Sequence, residues 1–146
     1  MAVETEPTSL KEFSDNLRES IGYACIQHGE THKELSKPVL TESSPNFQAL
    51  KHLLEISATI QKELNMLVKW AKAAVIEGSL PTEADKQIVL NLGYQVRRSL
   101  ATDLAEQYDQ MYENTDVFAD TTIMKYNIDL TVLFVEKFIK VIKLAN

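Results

Sequence analysis

Cys25, His28 and His32 stand at C-x2-H-x3-H spacing, and on a helix residues three, four and seven apart share one face. A thiolate and two imidazoles on one face are the donor set of half a zinc site. A fourth ligand would have to come from Glu30, Glu34 or His52, and no second Cys/His cluster accompanies the first. The expectation is no metal and no cofactor, but a buried thiol on an apolar stripe with surface histidines beside it. Catalysis has less support still. The chain has no glycine-rich phosphate loop and no G-x-S-x-G elbow. No carboxylate interrupts an apolar stripe, the setting that raises the pKa of a catalytic acid. Asp129 comes nearest, between Ile128 and Leu130, yet it falls with Lys125, Glu136, Lys140 and Lys143 on the polar stripe of its segment. The chain is expected not to be an enzyme.

Arg97 and Arg98 bear on binding instead. Gly93, Tyr94, Gln95, Leu100, Ala101 and Thr102 lie around them at helical spacing, none of them acidic, so neither arginine has an ion partner on its own helix. Solvent or a carboxylate from another helix would satisfy each; an anionic ligand or a partner's acidic segment is the functional alternative. A second candidate is acidic and aromatic. Glu106, Asp109 and Glu113, followed by Asp116, crowd the end of a helix, where the macrodipole already disfavours negative charge. Tyr108, Met111 and Tyr112 are interleaved, with Phe118 just beyond. Glu106, Tyr108, Asp109, Tyr112, Glu113 and Phe118 together suit docking of a basic amphipathic helix or peptide. The competing reading puts Tyr108 and Met111 in the core and leaves the acids to solubility.

The elements that must position these groups are helices. Pro7, Pro38, Pro45 and Pro81 all fall between periodic apolar segments. The first helix opens at Ser9 with Glu12 as a capping-box partner. It carries Leu10, Phe13, Leu17, Ile21, Ala24 and Cys25 and stops near Gly29 or runs on toward Leu35 before Pro38. The second begins with Ser44 as N-cap and Pro45 in the first turn. It then alternates three and four through Leu50, Leu53, Ser57, Ile60, Leu64, Leu67, Ala71 and Ala74, the seam of a bundle or coiled coil. The third starts near Thr82, and its Ile88, Leu92, Val96, Leu100, Leu104, Tyr108 and Met111 come in steps of four that drift round the helix. The last runs from Ile123 to Ala145 and repeats the three-four alternation at Met124, Ile128, Thr131, Val135, Phe138, Ile142 and Ala145. It is apolar almost all round, far beyond the ~100° arc of a surface helix, and demands cover from several neighbours. The fold class expected is all-α: a four-helix bundle with long helices, a short polar N-terminal tail (1–8) and one longer polar connector at about 29–44.

At 146 residues the chain suits one domain spanning 1–146, and 45% hydrophobic residues is a globular value. The net charge is −6. Residues 1–40 and 81–115 each carry −3 while 41–80 and 116–146 balance, so no segment is basic. A phosphate-binding face for nucleic acid is therefore not expected. Charges interrupt the last helix too often for a membrane span. A lone cysteine, an acidic start and the lack of a secretory pattern point to a soluble, cytoplasmic protein. These features lead to a non-enzymatic interaction module, an adaptor, chaperone or complex subunit, with protein partners and possible homo-oligomers. The alternative is a carrier of an apolar ligand such as a lipid, with Ser57, Ala71 and Ala74 leaving room and Trp70, Phe134 and Phe138 as lining. Cover of the last helix decides which surface matters. If Leu130, Phe134 and Val141 on one flank, or Phe138 and Ile142 on the other, stay open, that flank is the binding surface.

Overall fold

The computed structural model describes residues 10–38, 41–43, 46–75, 79–114 and 121–144, and the side chains of these except 111–114 and 121–123. Helices α1 (Leu10–Leu35), α2 (Phe47–Ala73), α3 (Glu83–Arg98), α4 (Ala105–Asn114) and α5 (Thr121–Leu144) follow in order, with a π-helical segment, Ser99–Leu104, between α3 and α4. Arg98, Ser99 and Ala105 all have right-handed helical backbone angles, so α3, the π segment and α4 form one continuous rod. The architecture is all-α with four rods, as the periodicity requires.

The rods form a ring. α1 packs on α2 and α5, and the α3–α4 rod packs on α2 and α5. Among the described residues no close backbone approach joins α1 to α3, or α2 to α5, so these are the diagonals. Polar links cross every seam. His28 Nε2 lies 2.8 Å from the Ser57 carbonyl (α1–α2), and Gln27 Nε2 donates to Asn127 Oδ1 at 2.7 Å (α1–α5). Gln95 Nε2 donates to Glu63 Oε2 at 2.7 Å (α3–α2), and Arg97 faces Glu136 at 3.8 Å (α3–α5). Second contacts give the direction: Cys25 meets Gln61, Tyr23 meets Phe134, Trp70 and Asp85 line one cleft, and Asp109 pairs with Lys125. On each seam the numbers fall on one helix as they rise on the other, so every neighbour is antiparallel.

The three-four seams of α2 and α5 become core faces. Leu50, Leu53, Ser57, Ile60, Leu64, Leu67 and Ala71 are all buried, as are Met124, Ile128, Thr131, Val135, Phe138 and Ile142. Across the diagonal, Trp70 meets Phe138 edge-on with centroids 6.4 Å apart. Of the three residues expected to line an apolar ligand, Trp70 and Phe138 thus pack on each other, and Phe134 packs on Tyr23 of α1. Helix starts differ in quality. Asp85 N–H donates to the Thr82 side chain at 3.2 Å, a true N-cap. In α2 the N-cap position is Asn46, without a side-chain cap bond, rather than Ser44; Ser44, Pro45, Ser9 and the 1–8 tail lie outside the described residues.

The connector and one face need correction. α1 takes the longer of its two expected ends, Leu35, and α2 begins at Phe47, so the connector starts at Ser36 rather than at about 29. Burial explains this: His28, Thr31 and Leu35 continue the core stripe one full turn beyond the glycine. The stop comes at Ser36, whose amide and hydroxyl both donate to the His32 carbonyl, at 3.0 and 2.8 Å. On α3 the expected stripe is also shifted. Ile88 is 67% exposed, and the core face is Val89, Gly93 and Val96. Counting only bulky residues misplaced it, because Gly93 is where the rods come close. A methyl group there would lie 3.1 Å from Ile139 Cγ1.

The expected drift of Val96, Leu100, Leu104 and Tyr108 is cancelled by the π segment. Steps of four overshoot a 3.6-residue turn, so on an α-helix these side chains would wind off the core. The wider i→i+5 turn of Ser99–Leu104 absorbs one residue, and all four stay at 1% exposure or less. Losing Leu104 and Tyr108 from the core would cost roughly 1.5–3 kcal/mol each. That exceeds the ~1 kcal/mol net value of an intrahelical hydrogen bond relaxed in the wide turn.

Deleting exposed Ala101 should therefore convert the segment to α-helix and restore a three-four seam, leaving helicity and cooperative melting intact. The same deletion at exposed Lys62 in α2 turns Leu64, Leu67 and Ala71 about 100° off the core and should abolish the transition by circular dichroism. In α1, a Cβ at Gly22 meets nothing within 4 Å. Gly22→Ala should raise stability by about 0.8–1 kcal/mol, while Gly93→Val should lower it by about 1–3 kcal/mol; chemical denaturation reads both.

Candidate functional site

The two flanks of α5 are covered unequally. Phe138 and Ile142 are buried, and Val141 is nearly so. Leu130 and Phe134 are only half-buried, and beside them Leu133 is 60% and Tyr126 63% exposed. Tyr126, Leu130, Leu133 and Phe134 follow at steps of four, three and one, so they line one strip of the helix. The facing strip of α1 presents Tyr23 at 51% and Ile26 at 67% exposure. The Tyr23 and Phe134 rings meet at 5.4 Å across the α1–α5 seam, which joins the two strips into one apolar face. Glu19 and Glu30 flank it on α1, and Lys137 and Lys140 continue it on α5, all exposed. Of the other large exposed apolar residues, Met66 and Ile88 sit on α2 and α3, away from this face. Single exposed apolar residues are normal; a contiguous group marks a contact surface.

The residues with chemical potential lie elsewhere. His28, expected at the surface, is wholly buried, and so is Ser57 across from it on α2. His28 Nε2 is 2.8 Å from the Ser57 carbonyl and 3.1 Å from its Oγ, and His32 Nδ1 is 2.8 Å from the same Oγ. A carbonyl only accepts, so His28 Nε2 carries hydrogen and donates to it; the Ser57 hydroxyl and His32 Nδ1 share a bond whose direction follows the His32 tautomer. Nδ1 of His28 has no partner among the described residues. Burial pulls the His28 pKa down to about 4, with the Ser57 carbonyl pulling weakly the other way and His32 adding to the fall. A small residue on the α2 seam was the available signal: Ser57 opens the space that the two imidazoles fill.

Cys25 turns away from both histidines. Its Sγ lies 3.0 Å from Asn65 Oδ1 and 3.1 Å from Gln61 Nε2, and burial raises its pKa against the weaker opposing Gln61 bond. Among the described residues no three His, Cys, Asp or Glu side chains gather to hold a metal ion. Neither is any described helix long and apolar enough to cross a membrane.

Arg97 and Arg98 line an open cleft of about 500 Å³ with Tyr94, Ala101, Thr102, Val132 and Glu136. Arg97 lies over the Tyr94 ring at 5.2 Å and near Glu136 on α5, the cross-helix partner its own helix lacks. Arg98 is exposed and has no such partner among the described residues. The acidic–aromatic group divides. Glu106 is exposed, and Asp109 pairs with Lys125 of α5 at 3.3 Å. Tyr108 is 1% exposed and belongs to the core, so it is not available to a partner. The side chains of Tyr112 and Glu113, and Phe118 itself, lie outside the described residues.

The buried imidazole makes stability pH-dependent. With a folded pKa of about 4 and an unfolded one near 6.5, His28 takes up its proton first in the unfolded chain. Its contribution is intact above pH 6.5 and falls as pH drops toward 4, by up to ~3 kcal/mol. Urea titrations across that window should show the decline, and His28→Leu should flatten it.

The chain matches no known protein-family model, no curated protein and no solved structure.

Proposed function

We propose that the chain is a non-enzymatic protein-interaction module, an adaptor, chaperone or subunit of an assembly, whose docking face is the outer α1–α5 seam. The observation that carries this reading is the contiguous exposure of Tyr23, Ile26, Tyr126 and Leu133, joined through the half-buried Leu130 and Phe134. The spacing of these residues suits a partner helix laid along the seam with anchors at i, i+3, i+4 and i+7. Acidic Glu19 and Glu30 on the α1 rim favour a helix with basic flanks. Ser57, flanked by the imidazoles of His28 and His32, is sealed at 0% exposure, and this supports a structural rather than a catalytic role for it.

A photo-crosslinking residue at Leu133, in cells that naturally make the chain, should yield a protein adduct. One at Ile88, equally exposed but on α3, away from this seam, should yield none. No adduct at Leu133, or equal adducts at both, would sink the reading. Leu133→Glu should change stability by no more than about 0.5 kcal/mol while removing the interaction.

A further inference from the structure

We infer that the partner seated on the α1–α5 face is a second copy of the same chain, related by a twofold axis running along the helices. This rests on the reading of that face as a docking surface, and it names the occupant. The outer strip of α5 reads Tyr126, Leu130, Leu133, Lys137 and Lys140, at steps of four, three, four and three. That strip is itself a basic amphipathic helix, the chemistry the acidic rim selects. The outer strip of α1 reads Glu19, Tyr23, Ile26 and Glu30, at steps of four, three and four. Both strips have the spacing of bundle seams, although neither faces the core. α1 carries five acidic and three basic residues, counting Lys and Arg. α5 carries four lysines and two acids.

The register of the two helices makes the face complementary to itself. Tyr23 meets Phe134 and Gln27 meets Asn127 across the α1–α5 seam. One turn back from Tyr23 is Glu19, and one turn on from Phe134 is Lys137, so these two lie at the same height. Ile26 is level with Leu130, and Glu30 with Tyr126 and Lys125. A twofold axis in the plane of the face and parallel to the helices preserves height and exchanges sides. It sets α1 of one copy over α5 of the other, antiparallel. Tyr23 and Ile26 then meet Leu130 and Leu133, and Glu19 meets Lys137, each contact made twice. A twofold axis across the helices would instead set α1 on α1 and α5 on α5, with Glu19 and Lys137 facing their own kind of charge. Within the chain no ion pair engages Glu19, Glu30, Lys137 or Lys140 among the described residues, so these charges are available across the axis.

Sedimentation equilibrium of the purified full chain, from low micromolar to near-millimolar concentration, tests this. The chain should shift by mass action from monomer to dimer. Ile26→Glu and Leu133→Glu should each hold it monomeric at unchanged helicity and melting temperature. Glu19→Lys or Lys137→Glu alone should weaken the dimer about three- to tenfold, because the axis repeats each pair. Combining the two reversals should restore it. A wild-type monomer at every concentration overturns the proposal, as does a dimer indifferent to Ile26→Glu and Leu133→Glu together. A double reversal that fails to restore the dimer overturns the assigned register and axis. The two readings separate cleanly. A monomer in solution with Leu133 crosslinked to another protein removes the second copy and keeps the docking face. A monomer without any Leu133 crosslink removes both.

Discussion

The apolar girth of α5 is the constraint from which the rest of the fold follows. A helix with so few polar positions cannot be left against water on more than a narrow strip. It needs neighbours on two sides and a third across the core. α1 and the α3–α4 rod take the sides, and α2 closes the diagonal through Trp70 against Phe138. Once α5 occupies that corner, the ring order is decided. Each seam of the ring is then crossed by polar links as well as apolar contacts.

The same constraint explains the π segment. The α3–α4 rod must keep contact with both α2 and α5 over its whole length, while its buried residues come in steps of four. An undistorted α-helix would rotate Leu104 and Tyr108 away from the core. Local widening at Ser99–Leu104 preserves the packing at a small cost in hydrogen-bond geometry. It also places Arg97, Arg98 and Thr102 around an open cleft beside α5. Packing and surface chemistry are thus linked through one irregular turn.

Among the described residues, cover of α5 is thinnest beside α1. α1 is slender: Tyr23 reaches Phe134, while Leu133 and Tyr126 stay exposed. In the docking proposed for this strip, the acidic rim of α1 and the basic continuation of α5 would orient the partner. The buried His28–Ser57–His32 cluster contributes to the opposite seam of α1. It holds the helix against α2 by directional bonds where a wholly apolar seam would let it slide.

Four helices, their approximate ends and the seams of α2 and α5 were legible in the sequence, because periodicity in burial is a local consequence of helix geometry. Leu50 through Ala71 and Met124 through Ile142 needed no partner to be recognised. Three things required the folded chain. Gly93 has no side chain to join an apolar stripe and yet is a contact face, since only the approach of Ile139 gives its missing side chain a meaning. His28 reads as a surface imidazole and is sealed, since its burial depends on Ser57 lying opposite. Tyr108 has both a core and a docking reading in the sequence, and the π turn decides for the core. The exposed strip of α5 was foreseen as a question, but which flank stays open depends on the width of the neighbour that covers it. Sequence spacing specifies which residues share a face; only tertiary contact specifies what that face meets.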